Sequence, residues 1–495
     1  MSDSKTSYYQ IIKTTSLFGG VQFFTILISI IRTKLIAIFI GPAGMGIVAL
    51  LNSAISVIGG VTSLGIETSG IKHVSSNYKN DDLSSIATIV AIVKRLALLT
   101  GILGCLVTVF LSSWLSQLTF GNSNHTFSFF FISITLLFRQ LMIGEFVVLQ
   151  GLRRMRLLAK ANFYGNLFGL LFSIPLYYYY RIDAIVPTII IASLSSLLFS
   201  FFYSKKIKLN KIVISNKQLT SEGKSIIKLG ILLTLSGLFT LLSTYLIQIY
   251  VGNQGGLEQV GFYNAGFTLL NSYVGIIFTA MSTDYFPRLA SISDENEKVR
   301  TSVVQQSFIS ILIITPIIIL FLTLIPLIVK IIYTPKFISI IPMVCFGILA
   351  MLFRAVSWSM GYILIAKGDS KIFVKTAFGF NLISLFLNVL GYYYYGLEGL
   401  GISFFVFYLI HFFGLKIITK KRYGFYFDSD FYNIYGICFL MCMATFLFRY
   451  IPDSIIKYSL MSAMVVLSIV FVLFQMNKKM ELKGLFNAII KKNND

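Results

Sequence analysis

The chain has 495 residues, of which 56% are hydrophobic and only 12% charged, with a net charge of +22 and a mean hydropathy of +0.82. A soluble domain carries roughly 25% charged residues, so a soluble globular enzyme is excluded. The basic excess falls between apolar runs, where it reports membrane topology, and nucleic acid is not an expected partner.

Apolar runs of roughly 20 residues, enough for a helix to cross the hydrocarbon core, recur along almost the whole sequence. A backbone in lipid must satisfy its own hydrogen bonds. The expected fold class is therefore all-α, a polytopic membrane protein with about 14 transmembrane helices. In chain order the spans are expected near 11–39, 45–68, 93–115, 126–149, 159–180, 184–204, 228–251, 261–284, 306–329, 339–365, 373–395, 399–419, 431–450 and 456–476. The start, Met1-Ser2-Asp3-Ser4-Lys5, is polar and no cleavable signal is expected. Cys105, Cys345, Cys438 and Cys442 all fall in apolar runs and are expected as packing residues, without disulfide or metal.

The loops alternate in charge. Arg153, Arg154, Arg156 and Lys160 lie on one side with the Lys-rich stretch Lys205 to Lys228, Lys367 to Lys375 and Lys416 to Arg422. The opposite side holds only Arg181, Lys330, Lys336, Arg449 and Lys457. The basic side is the cytoplasmic one, which puts both termini in the cytoplasm. No Gly-rich phosphate loop is present, so an ATPase domain is not expected, and the outer loops are too short to hold an active site.

The sequence repeats itself at an offset of 215 residues. Phe138-Arg139 matches Phe353-Arg354, Lys160 matches Lys375, and Asn166-Leu167 matches Asn381-Leu382. The run Tyr177 to Tyr180 matches Tyr392 to Tyr395, and Gly46 and Gly60 match Gly261 and Gly275. Each copy holds six spans, an even number, so the copies are parallel repeats, a known transporter plan. The expected organisation is a first six-helix half at 8–210, a second at 211–425, and an added hairpin with a basic tail at 426–495.

A charge in mid-span is expensive and usually faces a cavity. Arg139 and Arg354 are repeat mates in mid-span and are expected to line a central cationic cavity, the alternative being burial in one bundle against backbone carbonyls. Arg32 and Lys34, two apart on the first span, point to nearly opposite faces, so one is expected in the cavity and the other at the headgroups. Glu145 and His411 are candidates for coupling to a proton or sodium gradient, with a packed histidine as the alternative for His411. Glu67 and Asp284, near cytoplasmic span ends, are expected to pair with lysines, the alternative being that either carries a proton. The intramembrane balance is positive. A cationic chamber attracts an anion, and guanidinium forks suit phosphate oxygens. No resident cofactor is expected.

The segment Gly41-Pro42-Ala43-Gly44-Met45-Gly46, with Gly59-Gly60 and Ser63-Leu64-Gly65-Ile66 after it, resembles the first two spans of bacterial O-antigen and enterobacterial-common-antigen flippases of the Wzx type. These belong to the multidrug/oligosaccharidyl-lipid/polysaccharide (MOP) exporter superfamily. Tyr285-Phe286-Pro287-Arg288-Leu289, Lys336-Phe337 and Leu364-Ile365-Ala366-Lys367 add to the resemblance, which covers about residues 8 to 422. It implies V-shaped six-helix bundles and, as cargo, undecaprenyl pyrophosphate carrying an oligosaccharide repeat unit, moved across a bacterial inner membrane. Lys34, Arg139 and Arg354 fit the family's cationic cavity positions. A polysaccharide polymerase and a chain-length regulator are implied partners of a monomeric flippase. Fourteen spans depart from the twelve-span members. The rival readings are a peptidoglycan lipid-precursor flippase, a multidrug or cation exporter of the same superfamily, and a membrane-bound glycan polymerase.

Overall fold

The computed structural model describes residues 27–78, 83–207, 214–275, 288–452 and 454–480, together with residues 209, 212, 278, 285 and 286. Among them every regular element is a helix. The expected spans 11–39 and 261–284 lie partly outside these residues, as do Asp284 and the basic tail.

Helix α1 covers residues 27–39, and α2 is Gly41–Thr62. The junction explains the Gly-Pro-Ala-Gly motif. Gly41 has φ +64°, a left-handed conformation that glycine adopts without strain. Pro42 stands in the first turn of α2, where no backbone donor is needed. A Cβ on Gly44 would meet that of Ile40 at 2.5 Å.

Further on come α3 (Ile66–Tyr78), α4 (Leu83–Phe110), α5 (Ser112–Phe120), α6 (Thr126–Ile132), α7 (Ile134–Gly151), α8 (Met155–Tyr180), α9 (Ile185–Ser204), α10 (Asn216–Gly255) and α11 (Leu257–Thr268). After a π-helical turn at Leu269–Val274 come α12 (Asn296–Ile332), α13 (Ile341–Ala366), α14 (Ser370–Tyr423), α15 (Ser429–Phe448) and α16 (Ile455–Met480). Among the described residues ten helical stretches are long and apolar enough to cross a membrane, so the chain is a multi-pass membrane protein. Two of the ten double back. Met155–Ser204 turns at Arg181 (φ 51°, ψ −123°), and α14 turns at Gly396 (φ 56°, ψ −136°). Across the second turn Ser403 donates to the carbonyl of Leu387 at 2.6 Å.

Hydroxyls inside the spans turn back on their own helices. Thr100, Thr108, Ser173, Thr315 and Thr419 each donate to the carbonyl four residues earlier, which satisfies them where lipid offers no partner. Small residues let helices approach closely. Gly165 and Gly169 of α8 face Ser196 and Ala192 of α9, with would-be Cβ atoms 3.0 and 3.4 Å from their Cα atoms.

The chain divides into two compact units. The first is Met1–Asn264 with Ile332–Lys336, and the second is Ala265–Ile331 with Phe337–Asp495. In the first unit α10 packs on α2 and α3. At that packing Gly65 and Gly230 meet so closely that a Cβ on either would lie 2.2–2.3 Å from a facing carbonyl oxygen.

Within the first unit α2 crosses α11 at Gly46 and Gly261. A Cβ on Gly46 would lie 2.0 Å from the Leu257 carbonyl oxygen, and one on Gly261 would lie 2.0 Å from that of Pro42. The contact is reciprocal between residues separated by the repeat spacing, Pro42 standing to Leu257 as Gly46 stands to Gly261.

Candidate functional site

In the first unit Arg32 of α1 and Arg139 of α7 line one cavity of about 320 Å³, walled by α1, α2, α7, α8 and α9. Hydroxyl and amide groups make most of the remaining polar lining, among them Asn52, Tyr177, Ser193 and Ser196, and no carboxylate lines it among the described residues. Arg32 Nη2 donates to the Asn166 carbonyl at 3.2 Å, while its buried Nε has no acceptor. Gly169 makes room for this guanidinium, since a Cβ there would come within 3.3 Å of Nη2. Tyr177, buried at the inner end of its run, is held by a hydrogen bond of 2.8 Å from Thr188. Arg139 is half-buried and makes no hydrogen bond or ion pair with the described residues.

Of the pair Arg32 and Lys34, it is Arg32 that enters the cavity. Lys34 Nζ donates to the backbone carbonyl of Tyr333. Glu145, six residues beyond Arg139, does not line the cavity. Its carboxylate is 2.7 Å from Lys94 Nζ of α4, and its side chain is almost fully enclosed. Any coupling by Glu145 would first have to break this ion pair. Glu67 stands exposed at the start of α3.

A second, smaller recess of about 260 Å³ adjoins the first and shares Val48 and Asn52 with it. Its polar lining is uncharged: Asn52, Ser53, Ser56, Thr244 and Asn264.

In the second unit Arg354 of α13 donates to Asn271 Oδ1 at 2.7 Å, and its guanidinium lies 5.2 Å from the Phe278 ring centre and 5.4 Å from that of Tyr408. His411 is packed against Phe380 at 4.4 Å, with Phe407 and Tyr408 beyond it, and its buried Nδ1 lacks a hydrogen-bond partner. The Tyr runs each bury their first ring, Tyr177 and Tyr392, and expose the other three. The four cysteines are free, and among the described residues no group of three His, Cys, Asp or Glu could hold a metal.

Arg32 and Arg139 thus share one cavity, and Arg354 and His411 lie near one another in the second unit. Sequence reasoning missed Lys94 as the partner of Glu145, and it missed the serines that open the cavity. The repeat register could have shown the latter, because Ser193 and Ser196 align with Tyr408 and His411.

A family profile described as "Polysaccharide biosynthesis protein" matches residues 35–342. No curated protein matches by sequence. Among solved structures, the lipid II flippase MurJ in an inward closed conformation is similar with a TM-score of 0.71 at 16% identity, covering 94% of this chain and 99% of that one. An inward-facing multidrug resistance MATE family transporter of the MOP superfamily is similar with a TM-score of 0.66 at 13% identity, covering 83% and 98%. A MOP superfamily transporter from Pyrococcus furiosus, described as having a binding pocket of reversed polarity that suggests a different function, gives 0.58 at 13% identity, covering 83% and 96%. The fold is that of the MOP superfamily.

Proposed function

The chain belongs to the polysaccharide biosynthesis protein family, and from that premise we propose that it is a flippase for lipid-linked oligosaccharide. The cargo is an undecaprenyl-pyrophosphate-linked repeat unit of the O-antigen kind. It passes from the cytoplasmic to the periplasmic leaflet of a bacterial inner membrane by alternating access, with both termini of the carrier in the cytoplasm. The observation that carries this reading is the cavity that Arg32 and Arg139 line together, with no carboxylate among its described lining residues.

Two guanidinium groups behind low-dielectric walls attract a multiply charged anion and repel a cation, which argues against a cationic drug as cargo. Guanidinium forks match phosphoryl oxygens. The neighbouring uncharged recess of amides and hydroxyls suits the hydroxyls of a sugar. The prenyl tail stays in lipid, and no bond is made or broken. Lys34 and Arg354 add positive charge at membrane depth, and the polymerase and chain-length regulator that consume the repeat unit are the partners of this reading.

The test is surface glycan in cells whose own copy is deleted. Arg139→Ala and Arg354→Ala should each abolish it while the protein keeps its membrane abundance. Normal glycan with both variants overturns the reading. Cell-wall failure with intact surface glycan would instead point to a peptidoglycan precursor as cargo, which carries the same phosphoryl chemistry.

A further inference from the structure

The two halves treat their paired arginines in opposite ways. At the repeat spacing Arg139 corresponds to Arg354, Ser193 to Tyr408, Ser196 to His411 and Asn52 to Phe267. Around Arg139 the small hydroxyl residues leave a cavity. Around Arg354 the space holds rings: Tyr408 lies against the guanidinium, and His411 is wedged among Phe380, Phe407 and Tyr408. Arg354 is also tied to Asn271 at 2.7 Å. Arg139 has no such tie among the described residues, and Arg32, which shares its cavity, corresponds to the uncharged Ile247.

The geometry points to a phosphoryl-binding seat inside the first half alone, formed by Arg32 and Arg139 and opened by Ser193 and Ser196. It deepens the flippase reading and rests on it only for the source of the phosphoryl group. Two cations in one cavity repel each other unless an anion lies between them, and the buried Nε of Arg32 lacks an acceptor. A phosphoryl group supplies both the charge and the acceptor. The hydroxyls of Ser193 and Ser196 now turn back on the carbonyls of Ile189 and Ala192, so each can rotate to donate to a further oxygen. The described lining holds no carboxylate, so it offers sodium no ligand of opposite charge. Arg354 of the second half is held in place by an amide and two rings, outside this seat.

The experiment measures binding to the purified full-length protein in detergent. The probes are inorganic pyrophosphate, and nanodiscs of phosphatidylglycerol and phosphatidylethanolamine with or without a polyprenyl diphosphate. The variants are Arg139→Gln, Arg32→Gln and Ser193→Tyr; the last installs the ring of the second half and leaves every charge in place. Each should weaken binding at least about tenfold, the equivalent of one charge-assisted hydrogen bond, with unchanged elution on gel filtration. Arg139→Lys, which keeps charge without the fork, should fall between wild type and Arg139→Gln. Saturable binding of free pyrophosphate supports a seat open to soluble anions, and binding confined to nanodiscs with the polyprenyl diphosphate supports a seat entered from the lipid. Binding of neither probe overturns the proposal, as does undiminished binding by Ser193→Tyr together with Arg139→Gln. Binding that depends on Arg139 in a protein whose deletion leaves surface glycan normal would retain the seat and remove the flippase reading. Surface glycan that survives Ser193→Tyr and Arg139→Gln but is lost with Arg354→Ala would remove the seat alone.

Discussion

Glu145 lies in the wall of the first unit with its carboxylate on Lys94, whose own side chain is 40% exposed. The two partners are therefore unequal. Lys94→Met would leave a carboxylate enclosed without its cation, at a loss of about 1–3 kcal/mol, whereas Glu145→Gln leaves an ammonium that can reach water. The lysine variant should show the larger fall in melting temperature in detergent, and equal falls would contradict the assigned burial. A second residue-scale expectation concerns pH. At the turn before α14 the Tyr423 hydroxyl and then the Arg422 guanidinium, at 3.3 Å, hold the Asp369 carboxyl below its usual range. Because the folded value is depressed, this stabilisation is present above the unfolded value of about 3.9 and fades as the pH falls through the folded one. Wild type should melt above Asp369→Asn at neutral pH, and the gap should close on acidification. A gap that does not depend on pH would refute the assignment. At this scale sequence marked the charges that fall within apolar spans but not their partners. Lys94 is 51 positions from Glu145, and only the packing of α4 on α7 brings them together.

At the scale of elements the glycines carry the argument. The crossing of α2 and α11 is closed by backbone, not side chain, at Gly46 and Gly261. An alanine at either position drives a methyl into a carbonyl oxygen. Gly46→Ala should cost about 1–3 kcal/mol, the range for overpacking, and Gly261→Ala should cost the same because the contact is reciprocal. Thermal unfolding of both variants checks this, and a marked difference between them would break the pseudo-equivalence. The Gly-Pro-Ala-Gly segment is legible as a motif from its residue types, and its physical sense is a tight turn between α1 and α2. The hairpin turns were only half legible. The Tyr runs marked them, but the shift out of helical geometry one residue past each run, at Arg181 and Gly396, has no signature in the residue types, since one is arginine and the other glycine.

For the molecule as a whole, apolar content and length made the all-helical membrane class plain, because lipid leaves the backbone so few options. The duplication remains a proposal. The matched turns at Arg181 and Gly396, the matched burial of Tyr177 and Tyr392, and the reciprocal glycine crossing support it. What sequence could not foresee was that α10, at the start of the proposed second repeat, packs on α2 and α3.

The contrast between the hollow around Arg139 and the crowded rings around Arg354 carries a consequence for endurance. On the proposed seat, the half that stays open forgoes dispersion contacts of the kind the rings make around Arg354. Closing the hollow with a ring should then yield a hardier protein that has lost its purpose, the usual bargain between stability and activity. Ser193→Tyr should melt higher than wild type while it fails in transport, and a lower melting point would mean that the space is already filled in the resting state.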